Sequence, residues 1–371
     1  MSYKNLKTLL VQRSLLPPVF LDYVIPVLFS LILLFLISLP QGNRKELYII
    51  EQDEYQSFLR VAHSSLMELS KEEAWETVVP RVETVWIPSS ADGSDQPALF
   101  YNSGSDAKKP LLVALHSWSA DYKQHYSIPY GIWAVKNDWV FIHPDYRGPY
   151  TNPQATASEL AVQDILDAVE YAKSNARIDR SRVYLTGFSG GGMTTLIMVG
   201  RYPSLWTAAA AWVPVYDLVQ WYETIQGAAH DYAAHIENSC GGSPLESSEA
   251  YQECKNRSAS TYLSNAVGKD VQVYIATGVG DLFVPPGHGV QAFNDLAGEP
   301  ERISPEDISY IDTNYRLPEH LLGEYSDELF KMAGYDLIFS RKSQNVKLQI
   351  YDGGHDIVYN AGLFWLGGQK R

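Results

Sequence analysis

A chain of 371 residues with a net charge of −14 has no basic stripe to track a nucleic-acid backbone, so that class of partner is excluded. Hydrophobic residues at 46% and aromatic residues at 12% suit a globular protein with a large core. The only two cysteines, Cys240 and Cys254, stand in a polar segment as a small disulfide loop or as two free thiols, and no CxxC or His/Cys cluster points to a metal.

Residues 1–19 carry Lys4, Lys7 and Arg13 and no acidic side chain, and a strongly apolar run follows within 20–40. At about 1.5 Å per residue that run spans the roughly 30 Å of a bilayer core. Ile37-Ser38-Leu39-Pro40 lacks a small-x-small cleavage pattern, so the expectation is a single-pass signal anchor, a transmembrane helix that is not cleaved. The basic N-terminus then stays cytoplasmic and the remainder lies outside, periplasmic or extracellular. Within 41–80, Leu47, Ile50, Tyr55, Phe58, Leu59 and Leu66 recur at roughly helical spacing. They predict a helical stalk, or a helix docked on the following domain, ended by Pro80.

From 81 to 371 strands and helices alternate. Arg81–Ile87 and Pro97–Tyr101 read as an antiparallel pair around Ala91-Asp92-Gly93. Short apolar strands are expected at 111–115, 139–142, 183–186, 208–213, 271–276 and 346–350, with helices between most of them. The pattern predicts one α/β domain with a doubly wound, mostly parallel sheet. Two insertions break the alternation, at 216–265 and 299–343. The first carries Trp221, Tyr222, His230 and Tyr232, and the second Tyr310, Tyr315, Leu317, Tyr325 and Phe330. Ligands of open α/β sheets bind outside the carboxyl ends of the strands, so both insertions are candidate pocket walls as well as candidate scaffold.

The chemistry concentrates at Arg182–Met193. Val183–Thr186 suits a buried parallel strand, Gly187-Phe188-Ser189-Gly190-Gly191 spells Gly-x-Ser-x-Gly, and a helix-tolerant stretch follows. Such a strand–turn–helix projects Ser189 from a strained corner, with the first N–H groups of the helix behind it. A serine needs a base, and the base an orienting acid. Asp281 lies in the loop after strand 271–276, and His355 in the loop after strand 346–350, flanked by Gly353 and Gly354. Asp217 and Asp145 are rival acids and His288 a rival base. Two backbone donors must hold a developing oxyanion: Gly190, after the serine, and Trp118, in the loop after strand 111–115, with Ser117 the second choice.

These residues carry a resemblance. His116-x-Trp118-x, Pro144-Asp145-Tyr146-Arg147-Gly148, Gly187-x-Ser189-x-Gly191, Asp281-x-x-Val284-Pro285 and Gly353-Gly354-His355 make residues 81–371 similar to an α/β-hydrolase of the prolyl-oligopeptidase and acetylxylan/feruloyl-esterase type. Those families usually have His-Gly where this chain has His116-Ser117. The resemblance implies a serine hydrolase that needs no metal or organic cofactor and acts on a small ester, an acylated saccharide or a short peptide. The stretch between the apolar run and residue 81 has no room for the β-propeller of prolyl oligopeptidases, and no Glu-Glu pair for a peptide amino terminus can be placed. Both absences favour a carboxylesterase over a serine peptidase. A catalytically inactive, membrane-tethered binding protein is the third expectation, opposed by the intact Ser189, Asp281 and His355.

Overall fold

The computed structural model describes residues 47–50, 69–228 and 230–371. The expected cytoplasmic segment 1–19, the expected anchor at 20–40 and most of the stretch 41–80 lie outside the described residues. Among the described residues no helix is long and apolar enough to cross a membrane.

Among the described residues nine strands make one sheet: β1 (Glu83–Pro88), β2 (Asp95–Tyr101), β3 (Lys109–Leu115), β4 (Val140–Pro144), β5 (Ile178–Phe188), β6 (Ala208–Trp212), β7 (Gln272–Gly278), β8 (Leu337–Ser343) and β9 (Val346–Tyr351). Their order is β1-β2-β4-β3-β5-β6-β7-β9-β8. Pairing is parallel from β4 through β3, β5, β6 and β7 to β9, and antiparallel at both ends. Among the strands only β8 was not expected. It lies inside the second insertion and pairs with β9, and its partly buried pattern, closing on Arg341, Lys342 and Ser343, gives an edge strand little apolar signal.

The helices are α1 (Lys71–Val78), α2 (Ile128–Asn137), α3 (Glu159–Asn175), α4 (Gly190–Arg201), α5 (Leu218–Ile225), α6 (Tyr232–Cys240), α7 (Ser248–Asn256), α8 (Gly287–Leu296), α9 (Pro305–Asn314), α10 (Glu328–Met332) and α11 (Tyr359–Gly367). Side chains alternate across a strand, so each central strand feeds two cores. Leu111, Val113 and Leu115 join Val183, Leu185, Ala209 and Ile275 in a cluster with Ile165 of α3, Met193 of α4 and Phe293 of α8. On the other face Phe141 meets Trp75 of α1, Tyr184 meets Trp139, and Tyr274 meets Trp365 of α11. Helices thus cover both faces.

Residues 47–50, within the expected helical stretch 41–80, are not helical. Tyr48 N–H instead donates to Asn137 Oδ1, and Ile50 exchanges two hydrogen bonds with the Asn360 side chain. Helix α1 is docked rather than free. Ser70 and Glu73 form a capping box at its start. Trp75, 3% exposed, lies against Gly131, where a Cβ would come within 2.6 Å of its ring.

The first insertion folds as α5, α6 and α7, and Cys240 and Cys254 are joined in a disulfide between α6 and α7. Its Ser247 side chain caps α7 by accepting the Ala250 N–H.

Candidate active site

Strand β5 runs directly into α4, and Ser189 is the turn between them at φ 58° and ψ −117°. That backbone conformation is strained for a residue with a Cβ, and the surroundings hold it. Ser189 N–H donates to Trp212 O at 2.9 Å, and Ser189 O accepts from Met193 N at 3.0 Å. The corner is so tight that a Cβ on Gly187 would lie 2.2 Å from Gly191 O, and one on Gly191 2.5 Å from His116 O. The elbow therefore rests directly on the loop after β3.

Asp281 and His355 come from loops at the carboxyl ends of β7 and β9, which are neighbours in the sheet. His355 Nδ1 and Asp281 Oδ2 are 2.6 Å apart. Asp281 is fully buried, and its other oxygen accepts the N–H groups of Phe283 and Val284 at 2.9 and 3.0 Å. The His355 ring is wedged between Phe188 and Phe283, with centroid distances of 4.8 and 5.5 Å. Ser189 and His355 line one cavity of about 420 Å³.

The rivals are engaged elsewhere. Asp217 caps α5 through Val219 N–H and Gln220 N–H, and its second oxygen takes the Lys255 ammonium and the Ser260 hydroxyl. Asp145 accepts Tyr122 N–H and supports the loop after β3. His288 is wholly buried and accepts Tyr216 N–H on Nδ1, and burial pulls its pKa down to about 4.

The loop after β3 brings Trp118 against the start of α4. A Cβ placed on Gly190 would be 3.0 Å from Trp118 N. Among the described residues no protein acceptor takes the N–H of Trp118 or of Gly190. Ser117 N–H, by contrast, donates to Gln124 Oε1 at 3.0 Å, which removes the second-choice donor. His116 is wholly buried, stacks on Tyr146 at 4.1 Å and donates from Nε2 to Asp145 O at 2.6 Å. Burial holds its pKa below the usual imidazole value, and with Nδ1 3.0 Å from Ser117 O the ring braces the loop from both nitrogens.

The cavity walls divide by chemistry. Trp118, Trp221, Tyr232 and Phe283 form an aromatic side, with Trp118 edge-on to Trp221 at 4.8 Å and Trp221 Nε1 donating to Phe283 O at 2.9 Å. Gln124, His125, Tyr126 and Lys71 of α1 form the other side. Trp221 and Tyr232 come from the first insertion, as expected of a pocket wall. Tyr222 of the same insertion instead donates to Glu237 Oε1. No residue of 299–343 lines this cavity, contrary to the second-insertion expectation: Phe330 packs on Trp212 and Tyr325 on Phe339. Gln124, His125, Tyr126 and Lys71 escaped the sequence reading, because nothing local ties a glutamine in a loop, or a lysine some 120 positions upstream, to a serine at 189.

Residues 134–306 match the prolyl oligopeptidase family. Acetylxylan esterase A of Emericella nidulans is 29% identical over 115 residues, which cover 28% of this chain and 37% of that protein. Feruloyl esterase B of Thermothelomyces thermophilus is 26% identical over 197 residues, covering 49% of this chain and 62% of that protein. The acylaminoacyl peptidase of Pyrococcus horikoshii superposes with a TM-score of 0.47 at 16% identity, over 58% of this chain and 34% of that one. The chain thus spans less than two thirds of the length of the curated relatives it matches. The family match and these relatives all come from one class, the serine hydrolases, and that class is what this chain is similar to.

Proposed function

We propose that the protein hydrolyses carboxylic esters through an acyl-enzyme on Ser189, with His355 as general base and Asp281 as its orienting acid. The observation that carries this is the 2.6 Å contact between His355 Nδ1 and a fully buried Asp281 whose other oxygen is already committed to two backbone N–H groups. An imidazole that donates through Nδ1 presents the bare lone pair of Nε2, which a hydroxyl proton requires.

In the first half-reaction Ser189 Oγ attacks the ester carbonyl while His355 Nε2 takes its proton. The carbonyl oxygen becomes an oxyanion that accepts from the N–H groups of Gly190 and Trp118, both otherwise unused. The tetrahedral intermediate collapses, the C–O bond to the alcohol breaks, and His355 gives the proton to the departing alkoxide. Water then attacks the acyl-enzyme with His355 again as base, and release of the carboxylic acid regenerates Ser189. Every group in this sequence belongs to the chain, so no cofactor enters.

The esterases among the relatives support an ester, including an acylated saccharide, as substrate. A peptidase reading has its own support in the family match over 134–306. Purified protein tested on acetyl and feruloyl esters beside aminoacyl-proline and dipeptide amides separates the two. Ser189→Ala should abolish hydrolysis of short-chain nitrophenyl esters and labelling by a fluorophosphonate, and retention of either defeats the proposal. The same reading has the domain outside the cytosol behind an anchor at 20–40. The Cys240–Cys254 disulfide supports an oxidising compartment. Protease accessibility in intact cells checks it.

A further inference from the structure

Trp118 is the unusual donor in this site, because the carbonyls of His116, Ser117 and Trp118 around its amide all have partners. His116 O accepts the Tyr146 hydroxyl at 2.8 Å, Ser117 O accepts Ala120 N–H at 3.2 Å, and Trp118 O accepts Tyr150 N–H at 2.8 Å. Ser117 N–H lies one peptide before the Trp118 amide. It goes to Gln124 Oε1 at 3.0 Å, as does the Ser117 hydroxyl, also at 3.0 Å.

Gln124 is 4% exposed, and its orientation is not free. A backbone N–H only donates, so the oxygen of the amide must face Ser117. The NH₂ end then donates to Ser127 Oγ at 2.7 Å, and Ser127 Oγ meets His143 Nε2 on its far side. His143 is wholly buried, and burial lowers its pKa to about 3, so it stays a neutral partner. The chain of contacts Ser117–Gln124–Ser127–His143 ties the loop after β3 to the end of β4 and the start of α2.

We propose that Gln124 is a positioning residue for the oxyanion site, which it serves by holding the Ser117 peptide so that the next N–H, that of Trp118, stays aimed beside Gly190 instead of turning to a protein acceptor. The inference rests on the hydrolase reading of Ser189. Removal of Gln124 Oε1 orphans a part-buried N–H and leaves the His116–Ser117 peptide to rotate in search of a partner, so the Trp118 donor on the adjoining peptide is misaimed.

The test compares wild type with Gln124→Met, which keeps the side-chain length and removes both polar ends. With nitrophenyl esters kcat should fall about 10-fold or more, short of the ~10²–10³ typical of an outright lost donor, while KM stays within about twofold. The affinity of an alkyl boronic acid should fall by the same factor as kcat. Its tetrahedral adduct on serine places an oxygen where the oxyanion forms, a readout that ordinary loosening of the loop does not move in parallel. Ser127→Ala releases only the NH₂ end. It should lower the same two quantities together by a smaller factor, and it serves where Gln124→Met does not fold. Unchanged kcat and boronate affinity in a folded Gln124→Met or Ser127→Ala overturns the inference. So does a kcat loss without a matching boronate loss. A wild type that no fluorophosphonate labels at Ser189 defeats the hydrolase reading instead.

Discussion

His355 Nδ1–H donates to Asp281 Oδ2 at 2.6 Å, and the second oxygen of the same buried carboxylate is held by two backbone N–H groups. Asp281→Asn keeps the shape but must keep its oxygen toward Phe283 and Val284, which turns its NH₂ toward the imidazole. His355 is then forced to carry its proton on Nε2, where it cannot accept one from Ser189. A kcat loss of about 10⁴ is expected, with the folded state retained. Ester kinetics alongside thermal melting check both halves; an Asp281→Asn enzyme within tenfold of wild type defeats the assignment.

The elbow forbids side chains where its backbones cross. Gly187→Ala puts a methyl 2.2 Å from Gly191 O, a backbone atom that cannot step aside without moving Ser189. A loss of about 1–3 kcal/mol or more is expected, together with loss of fluorophosphonate labelling. Urea unfolding and probe labelling of the one variant measure stability and geometry separately.

Helix α1 is expected to matter for the cavity as well as for stability. Lys71 pairs with Asp121 at 2.7 Å, Glu72 with Lys123 at 3.0 Å, and Trp75 Nε1 donates to Lys123 O at 3.1 Å. The exposed ion pairs contribute little, so Trp75 is the anchor. Trp75→Ala should cost about 3–5 kcal/mol, and KM should rise as the wall bearing Lys71 loosens. Wild-type KM in a Trp75→Ala protein shows that α1 serves stability alone.

Two buried histidines set an acid limit. His143 and His288 have pKa values lowered by burial to about 3 and about 4, below the ordinary imidazole value of about 6.5. The unfolded chain therefore binds more protons than the folded one between those values. Their contribution to stability is complete above pH 6.5 and is lost as pH falls toward 4 and then 3. The urea midpoint should drop between pH 7 and pH 4.5. The drop should be shallower in His288→Asn, whose amide oxygen can still accept Tyr216 N–H. Equal slopes in the two proteins rule out His288 as a source.

Linking α6 to α7, the disulfide closes a loop of 14 residues in sequence separation. Loop closure of that size stabilises by about 3 kcal/mol, so Cys240→Ser should lower the denaturant midpoint correspondingly, and reductant should do the same to wild type. Insensitivity to reductant means the bond contributes nothing in solution.

Strand–loop chemistry made the placement of Ser189 with Gly190, of Asp281 and of His355 legible in the sequence, because each of these three sites follows its own apolar strand and is marked by glycines or an Asx-type turn. The parallel core was legible for the same reason: β3, β4 and β6 are buried along their whole length, and 111–115, 140–142 and 208–212 within them read as unbroken apolar runs. What stayed hidden depends on partners far away in the chain. Ile50 looked helical by spacing, yet its peptide groups are claimed by Asn360. Gln124 and Lys71 reach the cavity only because α1 and the loop after β3 pack side by side. The second insertion looked like pocket wall by its aromatics. Two of those rings were recruited by the scaffold instead, Phe330 beneath β6 and Tyr325 beside β8.

The two-way bond between Ile50 and Asn360 also bears on how the protein is made. Ile50 N–H and O both pair with one side chain 310 residues later, at 3.0 and 2.8 Å. Translation at roughly 5–20 residues per second separates the two by roughly 15 s to a minute. Throughout that interval Ile50 lacks its Asn360 partner, and the sheet, which needs β9 between β7 and β8, cannot close until β9 emerges. The domain must finish folding after α11 emerges, and a ribosome stalled short of residue 355 holds a chain with its elbow already synthesised and without His355.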